Sequence, residues 1–521
     1  MTATDGRPAM RDASRWVPAA CAVVALVVGL STLNALPVGG FYDDSFYVIL
    51  AKSLATGQGY RNLHLPGAPF AAHYPPGYPA FLALLWKLGP AFPANLMLFK
   101  AANAVLLAVV AWSTATFAMR RLQLAPWLAA VAALLGTITI PPLLLANMLL
   151  SETLFLALLV PALAYAEGAL QEGGPVRMRA AVALGVLAAA ITLVRSIGAL
   201  VIVAIAVAYL WRRAWRAGAA FVATALVMLA PWTLWTMRHG ADLPPALLGA
   251  HGSYLGWFTG GMRSDGPAVL VRTALVNVTA MVNGVLPSFR VGPALLPSAV
   301  ALIALLSLWA AAAWRTRSRV PVTLVFLALY LGLVVVWPGA PLRFVWGVWP
   351  LLMALLVAPI GAPATRGSTR AVCIVAAVCL APGVLRYNVQ GYRGGWWASI
   401  SRQMGGAMRP AIVWARTHTA PGDVIASESE GMMYLYADRP SVPVTTFTAA
   451  QYLQERTPQE NAGILRDILA AYHPRYVILQ SPPDIAAARL LTAGPSAALV
   501  AVDTTGGVFA FAPVAGALPA P

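Results

Sequence analysis

The residues of this chain that could do chemistry are a few charged side chains set beside long apolar runs. Two adjacent carboxylates, Asp43 and Asp44, follow the first apolar run, and Glu152 stands before a later one. Two arginines, Arg195 and Arg343, lie in short turns between other apolar runs. A carboxylate in such a place can act as a general base or hold a cation, and an arginine can grip a phosphate with two parallel hydrogen bonds. Because charge at membrane depth is costly, these residues are candidates for a functional site.

Each of these residues also has a purely structural interpretation. Asp44 could cap the helix that follows it, and the positive end of that helix dipole would favour Asp43. Glu152 could be the first-turn acid of its helix, Arg195 could snorkel to the interface, and Arg343 could be an outer arginine without a role. The five together are harder to explain as unrelated features than any one of them alone.

The composition indicates that these residues work in a membrane. Of the 521 residues, 60% are hydrophobic and 10% are charged, whereas a soluble domain carries about 25% charged residues. The formal net charge of +17 lies largely in short arginine clusters between apolar runs, as the positive-inside rule predicts. The charge therefore reflects topology and no nucleic-acid partner is expected. The three cysteines lie inside apolar runs and form no zinc or disulfide pattern.

Eleven apolar runs are predicted to cross the membrane, since a span needs about 20 such residues. Threading them alternately from a cytoplasmic tail, residues 1–15, places every arginine cluster that ends a run on the inner side. The transmembrane domain then covers residues 16–385, with outer loops at 39–93 and 238–294. The predicted spans are residues 16–38, 95–119, 125–145, 153–166, 180–194, 198–211, 217–236, 295–314, 321–337, 344–360 and 371–385.

Residues 386–521 are predicted to form a soluble extracytoplasmic α/β domain. Short strands are expected at 423–427 and 475–480, and a helix at 458–472 has apolar residues at helical spacing. Two closing strands are expected at 498–502 and 508–511. The fold class is thus a polytopic α-helical membrane protein with a small C-terminal α/β domain.

The first outer loop carries a more specific pattern. The acidic pair leads into an amphipathic helix that ends in a turn at Gly57, and His73-Tyr-Pro-Pro-Gly-Tyr-Pro-Ala80 follows. Later elements read Ser151-Glu152-Thr153, Arg195-Ser-Ile-Gly198, and Leu342-Arg-Phe344 ahead of Trp349-Pro350. Together they resemble the GT-C membrane glycosyltransferases, and more narrowly the branch with protein O-mannosyltransferases and lipid A aminoarabinose transferases. The resemblance covers roughly residues 15 to 385.

The resemblance implies an inverting glycosyltransferase in a bacterial inner membrane, with the C-terminal domain in the periplasm. Such an enzyme takes a hexose or pentose from a polyprenyl-phosphate donor and transfers it to a glycan, lipid or protein acceptor. Asp43 or Asp44 would be the general base, and the family pattern favours Asp43. Glu152 would position the acceptor or bind a cation. Arg195 and Arg343 would stabilise the departing lipid phosphate.

The chain departs from the aminoarabinose transferases at one motif. Those enzymes carry Glu-Lys-Pro where this chain has His73-Tyr74-Pro75, so the lysine's phosphate contact is missing or replaced. His73 could supply part of that contact, and both His73 and Tyr74 are candidates for positioning the donor or the acceptor. No cofactor is firmly implied, and a divalent cation is possible. Its ligands could come from Asp43, Asp44, Glu152, His73, His239 and His251.

Other classes of function remain open at this level. A secondary transporter would use the intramembrane charges as a substrate and proton path, but the sequence shows no repeated halves or paired broken helices. A non-catalytic envelope scaffold would use the acidic pair only as a helix cap. An enzyme resembling O-antigen ligases is a further alternative.

Overall fold

The computed structural model describes residues 7–171, 176–240, 242–243, 247, 259, 266–361, 367–493, 497–505 and 508–514. It is 71% helical with a small C-terminal sheet, which confirms the predicted fold class. The α-helices of the described residues are Arg7–Ser31, Asp43–Ala55, Gly77–Leu88, Leu96–Arg120, Pro126–Thr137, Ile140–Asn147, Glu152–Ala169, Met178–Val194, Ala199–Trp211, Trp215–His239, Ala268–Val285, Leu295–Thr316, Pro321–Val336, Pro341–Trp346, Trp349–Gly361, Gly367–Gly394, Ser399–His418, Glu430–Met432, Ala449–Leu453, Pro458–Tyr472 and Pro482–Leu490.

Helix length and composition identify the membrane-crossing candidates within these described ranges. Six helices are long and apolar enough to cross, and a seventh crossing results if the bent pair Pro126–Thr137 and Ile140–Asn147 counts as one. Five shorter apolar helices coincide with predicted spans: Trp16–Ser31, Met178–Val194, Ser196–Trp211, Pro321–Val336 and Trp349–Gly361. The predicted number of eleven spans and the orientation of the chain stay predictions.

One of the long apolar helices, Ala268–Val285, lies inside the segment that the sequence assigned to an outer loop. Polar residues such as Arg272 and Asn277 interrupt its apolar run. The Asn277 amide is buried and donates to the carbonyls of Val334 at 2.8 Å and Trp337 at 2.7 Å. Asn277, which makes this segment look polar in the sequence, therefore donates to free carbonyls at the end of the helix Pro321–Val336.

The chain forms two compact units. The first comprises Met1–Asn34, Leu96–Pro231 and Ala274–Trp397, and the second comprises Ala35–Asn95, Trp232–Thr273 and Ala398–Pro521. The second unit thus joins the first outer loop and the C-terminal segment, which are far apart in sequence. The boundary predicted at residue 385 stays a prediction.

Small residues set the helix spacing in the first unit. A Cβ at Gly29 would lie 2.9 Å from the Ala104 Cβ, and one at Gly136 would lie 2.7 Å from the Pro350 Cα. Such distances are shorter than real Cβ contacts, so glycine lets these backbones approach closely. This packing is typical of membrane helices, which associate without a hydrophobic driving force between them.

The second unit contains a five-stranded sheet with the order β2-β1-β3-β5-β4. β1 pairs in parallel with β2 and β3, and β5 runs antiparallel to β3 and β4. The predicted strands and the helix Pro458–Tyr472 are present, whereas β2 escaped prediction because it is only two residues long. The strands are β1 Ile425–Ser427, β2 Ser441–Val442, β3 Tyr476–Leu479, β4 Leu499–Asp503 and β5 Phe509–Pro513.

The apolar core beside this sheet includes residues of both segments that the sequence predicts to be outer loops. Leu65 from the first loop and Leu247 from the second belong to the same buried cluster as Val442 and Leu479. The His64 carbonyl accepts a hydrogen bond of 2.7 Å from the Ser441 N–H at the edge strand. The first outer loop is therefore built into the C-terminal sheet.

Candidate active site

One carboxylate shared by two arginines forms a buried cluster in the first unit. Glu152 is fully buried, and Arg195 and Arg343 are each 8% exposed. Arg195 Nη1 lies 2.6 Å from Glu152 Oε1. Arg343 donates through Nε to the same oxygen, and through Nη2 to Oε2 at 3.2 Å. The structure therefore brings together three residues that the sequence offers from three separate turns, here named the arginine cluster.

Local backbone geometry aims Glu152 and Arg195 at each other. Glu152 begins the helix Glu152–Ala169, where a carboxylate meets the positive end of the helix dipole. Arg195 follows the helix Met178–Val194 in an extended conformation with a φ of −147°. Its Nη1 also donates to Ser151 Oγ at 3.0 Å. The break after that helix thus turns Arg195 towards the start of the helix that carries Glu152.

Arg343 is held by a short helix of its own. This helix, Pro341–Trp346, begins with a proline, whose fixed φ suits the first helical position. The Tyr330 hydroxyl donates to the Phe344 carbonyl at 3.0 Å. The Phe344 ring centroid also lies 5.5 Å from the Arg195 guanidinium carbon. Tyr330 and Phe344 therefore fix the short helix beside the ion pairs.

The charges of the arginine cluster do not cancel. Two guanidinium groups face one carboxylate, so the three side chains carry a net charge of +1 in a buried place. Because Glu152 fixes both arginines, they need little reorganisation when an anion arrives. Guanidinium groups bind phosphate with parallel hydrogen bonds. The chemistry of the cluster therefore suits a phosphate. These contacts favour a role for Glu152 in orienting the two arginines. Its predicted role in positioning the acceptor stays a prediction.

A further buried cation in the same unit escaped the sequence analysis. Lys100 is 2% exposed, and its Nζ donates to the Asn34 carbonyl at 3.0 Å and to Asn34 Oδ1 at 2.9 Å. The Asn34 amide in turn donates to Asn147 Oδ1 at 3.0 Å. Asn147 closes the helix Ile140–Asn147 just before Ser151. A lysine inside the predicted span 95–119 was the available signal, since charge within a span is itself a functional indication.

The acidic pair lies in the second unit and follows a strained turn. Tyr42 has φ 70° and ψ −69°, and the Asp43 N–H donates to the Phe41 carbonyl at 2.9 Å. These values describe a γ-turn with positive φ, a rare and strained conformation for a residue with a side chain. Residues 41–44, here named the acidic turn, therefore need outside support to keep this shape.

The two aspartates of the acidic turn have different surroundings. Asp44 is fully buried, and its two carboxylate oxygens accept from the Gly39 N–H at 2.7 Å and the Phe41 N–H at 3.2 Å. Asp43 is only partly buried, and its Oδ1 accepts from the Tyr74 hydroxyl at 2.8 Å. Asp44 thus binds the backbone around its own turn, whereas Asp43 is less buried and binds a side chain of the same unit.

Burial changes the protonation of this turn. Burial raises the pKa of Asp44 to about 6, although the hydrogen bonds from Gly39 and Phe41 oppose the shift and Asp43 adds to it. Burial also raises the pKa of Tyr42 well above its usual value, and the nearby Glu430 carboxylate adds to this effect. Tyr42 therefore stays a neutral hydrogen-bond donor at physiological pH.

Aromatic packing positions Tyr74. Its ring centroid lies 5.1 Å from that of Tyr47 and 5.9 Å from that of Phe46, and Tyr78 packs on the other side of Tyr47. The His73 ring lies edge-on to Tyr74 at 4.7 Å. Tyr74 thus reaches Asp43 from a packed aromatic group, while the positioning roles of His73 and Tyr74 stay predictions.

The described part of the chain contains no group of three or more His, Cys, Asp or Glu side chains that could hold a metal ion. Of the candidate ligands named from the sequence, His239 Nδ1 lies 2.7 Å from Asp242 Oδ2. Glu152 is engaged by the two arginines. His251 lies outside the described residues. A divalent cation therefore stays a prediction from the sequence alone.

Comparison with known proteins identifies the fold. The sequence matches no protein-family model and no curated protein. The apo structure of ArnT from Cupriavidus metallidurans is 15% identical, with a TM-score of 0.53 over 98% of this chain and 100% of that one. ArnT bound to undecaprenyl phosphate gives a TM-score of 0.48 at 15% identity, with the same shares of 98% and 100%.

A further solved structure is the apo oligosaccharyltransferase of Archaeoglobus fulgidus. It is 13% identical, with a TM-score of 0.49 over 96% of this chain and 75% of that one. ArnT and the archaeal oligosaccharyltransferase are GT-C glycosyltransferases. The match to apo ArnT spans nearly the whole of both chains, so the GT-C fold implied by the sequence resemblance is confirmed.

Proposed function

We propose that the protein is an inverting GT-C glycosyltransferase that moves a sugar from a polyprenyl-phosphate donor to an acceptor. The observation that carries this proposal is the arginine cluster, a buried and preorganised site with net positive charge in a chain with the ArnT fold. ArnT itself has been solved bound to undecaprenyl phosphate. A lipid-linked phosphate is the anion that such a site in a membrane protein would meet.

The proposed reaction is a direct displacement at the anomeric carbon. An acceptor hydroxyl forms the new C–O bond while the bond from the anomeric carbon to the donor phosphate oxygen breaks. The electron pair of that bond stays with the phosphate, and the hydroxyl proton passes to a carboxylate. The products are a glycosylated acceptor with inverted configuration and a free polyprenyl phosphate.

Asp43 is assigned as the base that accepts this proton. It is the less buried member of the pair, and its Oδ1 accepts a hydrogen bond from the Tyr74 hydroxyl. Asp44 is the weaker candidate because both of its oxygens are used by backbone N–H groups. A positioned base contributes about 100- to 10,000-fold to the rate.

Arg195 and Arg343 are assigned to the departing phosphate. Negative charge grows on the bridging oxygen as the glycosidic bond breaks, and fixed positive charge there lowers the barrier. Glu152 holds the two guanidinium groups in place. The finer features follow the sequence resemblance: a hexose or pentose is transferred at the outer face of a bacterial inner membrane, with an inner N-terminus and a periplasmic C-terminal domain.

The test is sugar transfer by membranes that contain the full chain. A panel of radiolabelled polyprenyl-phosphate sugars is supplied to the wild type, Asp43→Asn and Asp44→Asn at matched expression. Asp43→Asn is expected to lose at least about a hundredfold in rate. Asp44→Asn, the matched control, is expected to lose less because it mainly alters the support of the turn.

The outcomes separate the competing functions. Transfer that is insensitive to Asp43→Asn would remove Asp43 as the base. Complete loss in Asp44→Asn with transfer retained in Asp43→Asn, and an intact fold by size-exclusion chromatography, would move the base to Asp44. Absence of transfer from every donor of the panel, with acceptor-containing membranes present, would favour the transporter or the scaffold.

A further inference from the structure

The acidic turn is docked on a segment of the C-terminal domain. Residues 430–432 form one helical turn that follows β1. The Tyr42 hydroxyl donates to Glu430 Oε1 at 2.5 Å. The two residues are separated by 388 positions in the sequence. The strained residue of the turn is therefore held by a side chain that is distant in the sequence but belongs to the same compact unit.

The backbones of the two segments approach closely at this place. A Cβ at Gly431 would lie 2.1 Å from Ser45 Oγ, and a Cβ at Gly39 would lie 2.1 Å from Met432 Cγ. Gly39 also has a φ of 107°, which residues with a side chain rarely adopt. Gly39 thus requires glycine, and any side chain at Gly431 would displace Ser45.

Further contacts continue along the same surface of the second unit. The Val38 N–H donates to the Tyr436 hydroxyl at 2.9 Å. Lys52 Nζ donates to the Tyr434 hydroxyl at 3.2 Å and lies 4.7 Å from the centre of its ring. These contacts flank the acidic turn but do not involve Tyr42. They therefore serve as a comparison for the hydrogen bond between Tyr42 and Glu430.

Tyr42 is the only residue between the Phe41 carbonyl and the Asp43 N–H of the γ-turn, so its position sets the direction of Asp43. A γ-turn with positive φ stores strain that its surroundings must hold. Asp44 holds it from within by binding the Phe41 N–H. Glu430 holds it from outside through the Tyr42 hydroxyl.

We propose that Glu430 is a positioning residue for the transfer reaction, which makes the C-terminal domain a required part of the catalytic apparatus. Through Tyr42 it keeps the acidic turn in the shape that presents Asp43. This inference rests on the proposed function, in which Asp43 is the base. Glu430 does not contact the substrate in this proposal. Its replacement is therefore expected to slow the transfer step and to leave donor binding unchanged.

The first test needs no substrate and uses hydrogen exchange of the full-length protein in detergent. Tyr42→Phe and Glu430→Ala are expected to speed exchange in residues 39–44 by about tenfold, since each removes the same hydrogen bond. Glu430→Gln is expected to stay close to the wild type because its amide oxygen still accepts from Tyr42. Tyr434→Phe, the matched control, removes a hydroxyl from the same surface and leaves exchange at 39–44 unchanged.

The second test measures transfer kinetics of the same variants with the radiolabelled polyprenyl-phosphate sugars. Tyr42→Phe and Glu430→Ala are each expected to lower kcat by about ten- to a hundredfold, as misplaced catalytic groups do. The KM for the donor is expected to stay within about twofold. The double variant should be no slower than the slower single variant, because both changes break one interaction.

The results separate this inference from the proposed function. Unchanged exchange at 39–44 in both Tyr42→Phe and Glu430→Ala would overturn the role of Glu430, whatever the fate of Asp43→Asn. Equal losses of kcat in Tyr434→Phe would reduce the effect to general domain docking and overturn it as well. Faster exchange at 39–44 combined with a wild-type transfer rate would show that the Tyr42–Glu430 hydrogen bond, here named the clamp, supports the turn but has no catalytic role. That result also contradicts the proposal.

Discussion

The arginine cluster and the acidic turn both bury carboxylates, but they compensate them differently. Glu152 is fully buried and is neutralised by two arginines in direct contact. Asp44 is equally buried, yet its carboxylate oxygens meet backbone N–H groups, and its neighbours are another carboxylate and a tyrosine. One site is thus rich in fixed positive charge, whereas the other holds a buried carboxylate, Asp44, whose pKa is raised to about 6.

This difference matches the two demands of the proposed reaction. A leaving phosphate needs positive charge that is present before the bond breaks, and an acceptor hydroxyl needs a group that can take a proton. The arginine cluster offers the first and the acidic turn offers the second. Glu152 and Asp43 look alike in the sequence. The role of each carboxylate in this protein therefore follows from the groups that it contacts.

The largest expected effect comes from removing the carboxylate of the arginine cluster. Glu152→Gln leaves two buried guanidinium groups without their anion, which is expected to cost about 3–5 kcal/mol of stability. Denaturant or thermal unfolding in detergent measures the loss. Asp44→Asn is the comparison and is expected to cost less, because no buried cation depends on Asp44. Equal losses in the two variants would contradict the distinction between the sites.

The next effect tests the guanidinium geometry at constant charge. Arg343→Lys keeps one positive charge but cannot make two parallel hydrogen bonds. The transfer rate is expected to fall about a hundredfold, equivalent to about 2.7 kcal/mol. Binding of undecaprenyl phosphate is expected to weaken as well.

The control for that prediction is Arg439→Lys. Arg439 is also 8% exposed, but its Nε donates to Thr419 Oγ1 and it takes no part in the cluster. Its replacement is expected to leave phosphate binding unchanged. If Arg439→Lys weakened phosphate binding as much as Arg343→Lys, the effect would reflect general damage to the fold.

The acidic turn predicts a pH dependence of stability. The pKa of Asp44 is raised to about 6 in the folded protein, so the folded state binds this proton more tightly than the unfolded state, where the ordinary value is 3.8. The resulting contribution is fully present below about pH 4 and is lost as pH rises through 6. Its size is about 3 kcal/mol, given about 1.4 kcal/mol per pH unit.

Unfolding of the wild type and Asp44→Asn at matched pH values measures this contribution. The difference in stability between the two proteins is expected to change between pH 4 and 6 and to be constant above pH 7. A difference that is independent of pH would remove Asp44 as the titrating group. The fully paired Glu152 provides the contrasting case within the same molecule.

The smallest effect concerns the support of Arg343. Tyr330→Phe removes the hydrogen bond to the Phe344 carbonyl, which is expected to cost about 1 kcal/mol of stability. The transfer rate should fall by only a few fold, because the ion pairs to Glu152 remain. A loss as large as that of Arg343→Lys would show that the short helix, and not the ion pairs, places the guanidinium group.

Much of the fold and the members of both clusters could be predicted from the sequence. Long apolar runs, arginine clusters and the acidic pair are local patterns, and each is set by a strong energetic rule such as the cost of charge in a bilayer. The helix Pro458–Tyr472 was predicted at its observed bounds because its apolar spacing and its capping box are also local. Local rules, however, name candidates without giving their contacts.

The remaining features depend on contacts between distant residues. The pairing of Tyr42 with Glu430 joins an ordinary tyrosine to an ordinary glutamate, and neither has a distinguishing neighbour in the sequence. The helix Ala268–Val285 was missed because Asn277 made it look polar, although its amide is satisfied by another helix. Ion pairing in the arginine cluster likewise follows from packing, which no spacing in the sequence reveals.

The hydrogen bond between Tyr42 and Glu430 also has a consequence for the synthesis of the chain. The ribosome makes Tyr42 and then adds a further 388 residues before Glu430 exists. At about 5–20 residues per second, that interval is roughly 20–80 s. During this time the acidic turn lacks its hydrogen bond to Glu430. The nascent chain is therefore expected to be inserted yet inactive, and transfer begins only after Glu430 has been added.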